Sequence, residues 1–573
     1  MRIFMIRIVG LLVLAVYFAS CSSSNTPGSL PVNPYQYSIQ KKVECRAGAV
    51  VSAHPLASEA GVAIMKMGGN AFDAAIATQL ALAVVYPEAG NIGGGGFTVA
   101  HLSDGRTLAI DYRETAPAKA HRDMYLDSAG NALLSKSQNG HLAAGVPGAV
   151  AGIFATYKYA KLPFEKLIQP AIELAEKGYA ITEAEARGLN RSQEEFAKYN
   201  TIMPVFVKTG GWKAGDTLVQ KDLANTLKRI RDNGQAGFYE GETARLIVEE
   251  MQRGGGIISA EDLKNYQAKE RPAVVFDYKG YSIITMPLPS SGGVLLPMMM
   301  NMIATQPVKD YGFLSAQHVQ LMTEIERRAY ADRAKYLGDA DFFKVPVQQL
   351  TSEAYARERM KDYSPNKAGN SVAIQAGIIP ESEETTHFSV YDSAGNAVAV
   401  TTTLNGGYGS YTVVGGAGFL LNNEMDDFSV KPGVPNMYGA VGAEANAIEP
   451  GKRMLSSMTP TIVLKDKKPY IITGTPGGTT ITTSVFQTLV NLLEFGMSAE
   501  DAVNKPKFHH QWLPDTIQVE KEFPMEVRTQ LEQMGYKLRQ RSTIGRTELI
   551  LVWPDGRIEA VADKRGEDHA AGY

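Results

Sequence analysis

Cysteine is almost missing from this chain: two residues, Cys21 and Cys45, stand in a sequence of 573. That excludes a disulfide-stapled scaffold and any zinc module built on clustered thiolates, so the fold must be held by its core. An excess of charge of either sign is also lacking. The 57 basic and 60 acidic residues leave a formal net charge of -3, and nothing in that balance draws the chain to nucleic acid. The apolar run from Ile8 to Phe18 is too short for a spanning helix. Gly93 to Gly96 are not followed by Gly-Lys-Ser/Thr, so they read as close packing rather than a phosphate loop. Histidine offers no metal set: His509 and His510 are adjacent, His387 is isolated, and no partner sits at ligand spacing. No metal or cofactor is expected, and Cys45 reads as a small buried residue.

Hydrophobic residues at 44% and charged residues at 20% are ordinary for a globular protein. The first residues are separate from that body. Arg2 and Arg7 flank the apolar run, and Ala19-Ser20 precede Cys21, the pattern of an export signal. The run Phe18-Ala19-Ser20-Cys21 resembles a lipobox, in which the cysteine becomes the lipidated first residue. Residues 1–20 are therefore expected to be a signal peptide. Residues 21–44, rich in Ser, Pro and Asn without periodicity, are expected to be a flexible tether. The expected location is outside the cytoplasm, on a membrane, facing the periplasm.

Within the body, residues 56 to 67 carry apolar groups at helical spacing and stop at Gly68-Gly69. Asn70 suits the N-cap of a second helix, apolar on all sides and hence buried on all sides, running to about Val85. Phe97 to Leu102 and Arg106 to Tyr112 read as a hairpin turning at Asp104-Gly105, with Arg113 at its exit. From about Gly148 to Asn370 the pattern is mostly helical, as in Phe164 to Gly178 and Leu314 to Tyr336. Beyond residue 380 strands, turns and glycines are expected almost to the end. Helices followed by strands imply an α+β layering with a sheet drawn from both halves.

The acidic stretch Glu381-Ser382-Glu383-Glu384 leads into TTHFSVYDSAGNAVAVTTTLN, residues 385 to 405. Two β-rich runs flank a turn-like Asp392-Ser393-Ala394-Gly395-Asn396. If Ser393-Ala394-Gly395 is a three-residue loop with Gly395 left-handed, Thr385 faces Thr403. A four-residue loop would put Leu404 there instead.

The block beginning Thr385-Thr386-His387 resembles the start of the small subunit of bacterial γ-glutamyltranspeptidases, which are N-terminal nucleophile hydrolases. LLNNEMDDFS at 420 to 429, KPGVPNMYG at 431 to 439, KRMLSSMTPT at 452 to 461, GTPGG at 474 to 478 and KFHHQWLPD at 507 to 515 agree in order. Upstream, residues 54 to 75 and 110 to 120 match the large subunit, so the likeness covers residues 45 to 573.

The resemblance implies a four-layer αββα sandwich built from both chains of a cleaved precursor, a large subunit of residues 45–384 and a small one of 385–573. It implies self-cleavage between Glu384 and Thr385, after which Thr385 attacks γ-glutamyl amides with its own α-amino group as base. Thr403 would orient that nucleophile, and Gly477 and Gly478 would offer amides to the oxyanion. Arg113, Ser456 and Ser457 would hold the substrate's α-carboxylate; Asn405, Glu424 and Asp427 would hold its α-ammonium. Tyr438 matches a lid tyrosine, and Gly406-Gly407 depart from the bulkier residues of the family, which leaves the acceptor side open. Expected partners are glutathione and other γ-glutamyl compounds, with amino acids or dipeptides as acceptors. A glutaryl-amide acylase and an uncleaved binding lipoprotein are the alternatives.

Overall fold

A computed structural model describes residues 32–374, 385–434, 436–437 and 442–573. Cys21, Glu384 and Tyr438 lie outside the described residues. Two seven-stranded antiparallel sheets form the centre. In spatial order the first contains His569–Gly572, Gly48–Ser52, Thr386–Asp392, Ala397–Thr403, Gly95–His101, Thr107–Asp111 and Lys269–Arg271. The second contains Lys42–Cys45, Ile558–Val561, Glu548–Val552, Lys468–Gly474, Thr461–Lys465, Tyr281–Thr285 and Val274–Tyr278.

The period-two alternation of side chains along these strands separates three apolar layers. Val51, Val99, Ala399, Ile284, Ile472 and Ile550 meet between the sheets. Their chain neighbours point outward: Val50, Val398 and Val400 pack under the helices Pro55–Lys66, Ala71–Val85 and Phe164–Lys177. On the other face Ile283, Ile471 and Leu551 pack under Gly292–Ile303, Ala316–Tyr336 and Thr480–Leu493. Helix, sheet, sheet and helix are thus stacked, the expected αββα sandwich, and both halves of the sequence supply strands to each sheet.

Local chemistry explains why these elements begin and end where they do. Asn70 accepts from the amides of Phe72 and Asp73 at 2.9 and 3.1 Å, while Asp73 accepts the Asn70 amide at 2.8 Å, a reciprocal capping box. Every residue of the following helix is buried. The hairpin at 385–403 has the three-residue loop: Thr386 pairs with Thr402 and Tyr391 with Ala397, and Gly395 takes a φ of +92°. Asp392 stiffens that loop by accepting the amides of Ala394 and Asn396 at 2.9 and 3.0 Å.

The glycine run is a packing feature, as its sequence context suggested. A Cβ on Gly93 would lie 2.0 Å from the Leu420 carbonyl oxygen, and one on Gly94 would lie 2.1 Å from that of Thr403. No side chain fits between these backbones.

Two expectations are corrected. The tether does not extend to residue 44: Lys42–Cys45 is an edge strand paired with Ile558–Val561, and Lys41 Nζ donates to the carbonyls of Asp563, Gly566 and Asp568. This anchoring is long-range strand pairing and hydrogen bonding, which leaves no local hydrophobic period. The second half is also not strand and turn throughout, because Thr480–Leu493 is a helix of 14 residues. Its β-branched threonines disfavour helix on propensity, but Ile481, Val485 and Leu489 recur at helical spacing and are buried against the sheets, and packing wins.

Candidate active site

Strand ends from both sheets bring the chemistry-bearing residues to one place. Thr385 immediately precedes one strand of the hairpin and Thr403 ends the other. Arg113 follows Thr107–Asp111, Ser456-Ser457 precede Thr461–Lys465, and Gly477-Gly478 link Lys468–Gly474 to the helix Thr480–Leu493. One pocket is lined by Arg113, Thr385, Thr403, Asn405, Glu424, Asp427, Ser456, Ser457 and Gly478, together with Arg333 and Asn436. Gly477 lies beside Thr385 in the adjoining cavity.

The two threonine hydroxyls are 3.4 Å apart. Thr403 Oγ1 also accepts the Asn405 amide at 2.8 Å, which fixes the hydroxyl oxygen beside Thr385. That amide points back because Asn405 is left-handed, with φ +77°, a conformation asparagine tolerates; its Nδ2 is tied to the Asn423 carbonyl at 2.9 Å. Gly477 and Gly478 have φ values of +134° and +53°. Among the described residues neither of their amides donates a hydrogen bond, so both are able to serve an oxyanion beside Thr385.

Arg113 is fully buried and meets three carboxylates: Glu424 at 2.5 Å, Asp427 on its other terminal nitrogen, and Glu114 at 3.6 Å. The carbonyls of Met454 and Leu455 also accept from it, at 3.3 and 3.4 Å. Asn436 donates to the second oxygen of Asp427 at 2.8 Å. Three acids around one guanidinium cannot all stay charged away from water. Burial pushes Glu114 up to about 8 and holds Glu424 well above the usual carboxylate range, against the pull of Arg113. The fork expected to grip a carboxylate is therefore occupied by the protein's own acids. The pocket's volume is about 20 Å³, room for little more than a water.

The gamma-glutamyltranspeptidase family model matches residues 57–573. This chain belongs to that family. It is 47% identical over 571 residues to the glutathione hydrolase proenzyme of Escherichia coli (strain K12), covering 98% of each chain. Among solved structures it is similar to Helicobacter pylori gamma-glutamyltranspeptidase, at 43% identity and a TM-score of 0.55, covering 60% of this chain and 97% of that one. It is also similar to cephalosporin acylase from Bacillus halodurans, at 26% identity and a TM-score of 0.83, covering 94% and 98%.

Within this family member the sequence reading missed Arg333. It sits on Ala316–Tyr336, where every residue except Gln317, Lys335 and Tyr336 is buried, and donates to Ser457 Oγ and Ser291 Oγ, both at 3.2 Å. By pinning Ser457 it shapes that wall of the pocket and adds a second buried cation there. In the sequence its charged neighbours look like a solvated helix face; only the burial of Arg327, Arg328 and Arg333 reveals otherwise. The histidines are structural. His387 bonds Thr401 at 2.8 Å and Ser389 at 3.1 Å, and burial holds it neutral by lowering its pKa to about 3; His509 bonds Thr483 at 2.8 Å and Gln511 at 2.9 Å.

The contact between the two threonine hydroxyls yields a direct prediction. Thr403→Val keeps the β-branched strand shape and loses the hydrogen bond, and is expected to slow both maturation and turnover by roughly tenfold or more, about 1.4 kcal/mol. Thr403→Ser keeps the hydroxyl and is expected to stay much closer to wild type. Rates of precursor cleavage and of γ-glutamyl-p-nitroanilide turnover check both. A valine variant as active as the serine variant removes Thr403 from the mechanism.

Proposed function

We propose that the protein is a proenzyme that cuts itself before Thr385 and then transfers the γ-glutamyl group of glutathione and related amides to water or to the amine of an amino acid or dipeptide. The observation that carries this reading is the Thr385–Thr403 hydroxyl contact, set between an acid–arginine cluster on one side and the Gly477-Gly478 amides on the other. In the precursor, Thr385 Oγ attacks the Glu384 carbonyl, the chain shifts from amide to ester, and water releases a large chain and a small chain that starts at Thr385. A free α-amino group ordinarily titrates at about 7.7 to 8.0, so the one released here accepts the proton of its own hydroxyl near neutral pH. Attack on the γ-carbonyl of a donor then gives a tetrahedral oxyanion facing the glycine amides, and its collapse to the Thr385 ester breaks the donor's C–N bond. The amine leaves with the returned proton, and water or a second amine resolves the ester.

The substrate class follows from charge. Glu424, which is buried, and Asp427, which is half-buried, gain from an α-ammonium and would be left facing an apolar chain by a glutaryl amide. That favours a γ-glutamyl donor over the acylase alternative. The maturation half of the proposal predicts two bands on a denaturing gel and an N-terminal Thr385 on the smaller, with Thr385→Ala remaining one band. An alanine variant that still matures overturns it, and an intact wild-type chain after export would favour a binding lipoprotein.

The apolar run before Cys21 supports a further part of the proposal, export followed by lipid anchoring at that cysteine. Cys21→Ser is expected to move the exported enzyme from the membrane to the soluble fraction. A variant that stays membrane-bound contradicts the anchor.

A further inference from the structure

Three large apolar side chains crowd one surface loop. Ile202, Met203 and Val205 stand within four positions and are 50%, 58% and 42% exposed. The fold holds them out in a fixed place. Asn200 secures the start of the loop: its Nδ2 donates to the carbonyls of Phe196 and Tyr411 at 2.9 and 2.8 Å, and its Oδ1 accepts the Val413 amide at 2.7 Å. Phe206 secures the end, stacked on Phe196 with ring centres 5.3 Å apart, and its carbonyl accepts from Trp212 Nε1 at 2.7 Å and Gln193 Nε2 at 2.8 Å. Pro204 is buried between these two ties.

The surrounding stretch is basic. Residues 198–221 contain Lys198, Lys208, Lys213 and Lys221 with Asp216 as their one acid, in a chain whose formal net charge is -3. Lys208 bonds Asp216 and lies 4.9 Å from the centre of the Trp212 ring, and Lys198 lies 4.7 Å from that of Tyr199. Lys198, Lys213 and Lys221 are exposed, as are the acids Glu194 and Asp222 that flank the stretch.

The first described residues run close to this loop. Pro34 accepts the Ala180 amide at 3.0 Å, and Tyr35 Oη donates to the Lys177 carbonyl at 2.9 Å. Tyr179–Ala180 pairs with Thr217–Leu218, and Gln220, just beyond that strand, lines a cavity with Ile202, Met203 and Val205. Eleven residues, 21–31, separate this point from the start of the tether, and at about 3.5 Å each they reach at most about 40 Å. A lipid on Cys21 therefore keeps the bilayer within reach of the side of the molecule that carries the loop.

We propose that this loop is a second membrane contact, in which Ile202, Met203 and Val205 enter the acyl-chain boundary of an anionic bilayer while the lysines around them meet its phosphates. Apolar side chains ringed by Lys, Trp and Tyr have the composition of an interfacial segment. Three side chains are too small an area to hold the enzyme alone, so the contact rests on the Cys21 anchor proposed above, which concentrates the loop at the surface. Its effect is to orient the enzyme, with one helix layer toward the lipid.

The test uses the anchored enzyme on phosphatidylglycerol vesicles whose acyl chains carry bromine, a quencher of tryptophan. The emission added by Met203→Trp is expected to fall roughly twofold or more against unbrominated vesicles, as befits a side chain at the acyl boundary. Met525→Trp, 70% exposed on Met525–Gln533 in the opposite helix layer, should be unchanged. Ile202→Asp should abolish the quenching at position 203 while turnover stays at the wild-type level, since the loop lines no part of the Thr385 pocket. Equal quenching at 203 and 525, or at neither, overturns the contact. A wild-type large chain whose mass shows no lipid on Cys21 sinks the anchor instead. The unanchored enzyme then decides the loop by itself: it should sediment with phosphatidylglycerol vesicles in low salt, and Ile202→Asp should weaken that binding roughly tenfold, whereas binding that ignores the substitution, or no binding, overturns the contact.

Discussion

The antiparallel pairing of Thr386–Asp392 with Ala397–Thr403 is the constraint on which the rest of the site depends. Its loop length decides whether a hydroxyl or Leu404 lies opposite Thr385, and Asp392 and left-handed Gly395 hold that length. The hairpin is central in its sheet, with Gly48–Ser52 on one side and Gly95–His101 on the other, so a register slip would carry Val398 and Val400 out of the helix layer. The Gly94 backbone then seals the Thr403 end, where no Cβ fits. The same contacts that stabilise the sandwich therefore set the distance between the two hydroxyls.

Electrostatics supplies the second half. A buried guanidinium surrounded by Glu114, Glu424 and Asp427 is costly to leave unpaired and costly to overfill with negative charge. Burial resolves this by holding Glu114 and Glu424 toward the protonated form, which limits the negative charge crowded around Arg113. In the proposed reaction, a substrate head that brings one positive and one negative group leaves the net charge of this cluster unchanged. A substrate with a carboxylate alone does not. The proposed selectivity for the α-amino acid head therefore rests on the cluster rather than on any one contact.

Much of this was legible in the sequence because it is written locally. The Asn70 cap, the apolar period of residues 56 to 67 and 71 to 85, and the Asp-Ser-Ala-Gly-Asn loop each carry their own short-range signal. The residues of the donor pocket were reached through motif resemblance, since isolated Arg113 or Ser457 looks like any surface polar group. What escaped was long-range. The anchoring of Lys41 by carbonyls more than 500 residues away has no local trace. The helix Thr480–Leu493 is a threonine-rich segment that packing turns against its propensity. Arg333 is placed at the pocket only by what the fold puts beside it, Ser457.

Thr385 Oγ1 as the atom that carries the γ-glutamyl group is the central claim, and trapping the acyl-enzyme tests it most directly. Mature enzyme mixed with a γ-glutamyl donor, quenched in acid during turnover and digested for mass spectrometry, should show a γ-glutamyl adduct on the N-terminal residue of the small chain, at Thr385. The adduct should disappear when a dipeptide acceptor is added before the quench. An adduct on any other residue, or steady turnover with Thr385 unmodified at every quench time, would contradict the account.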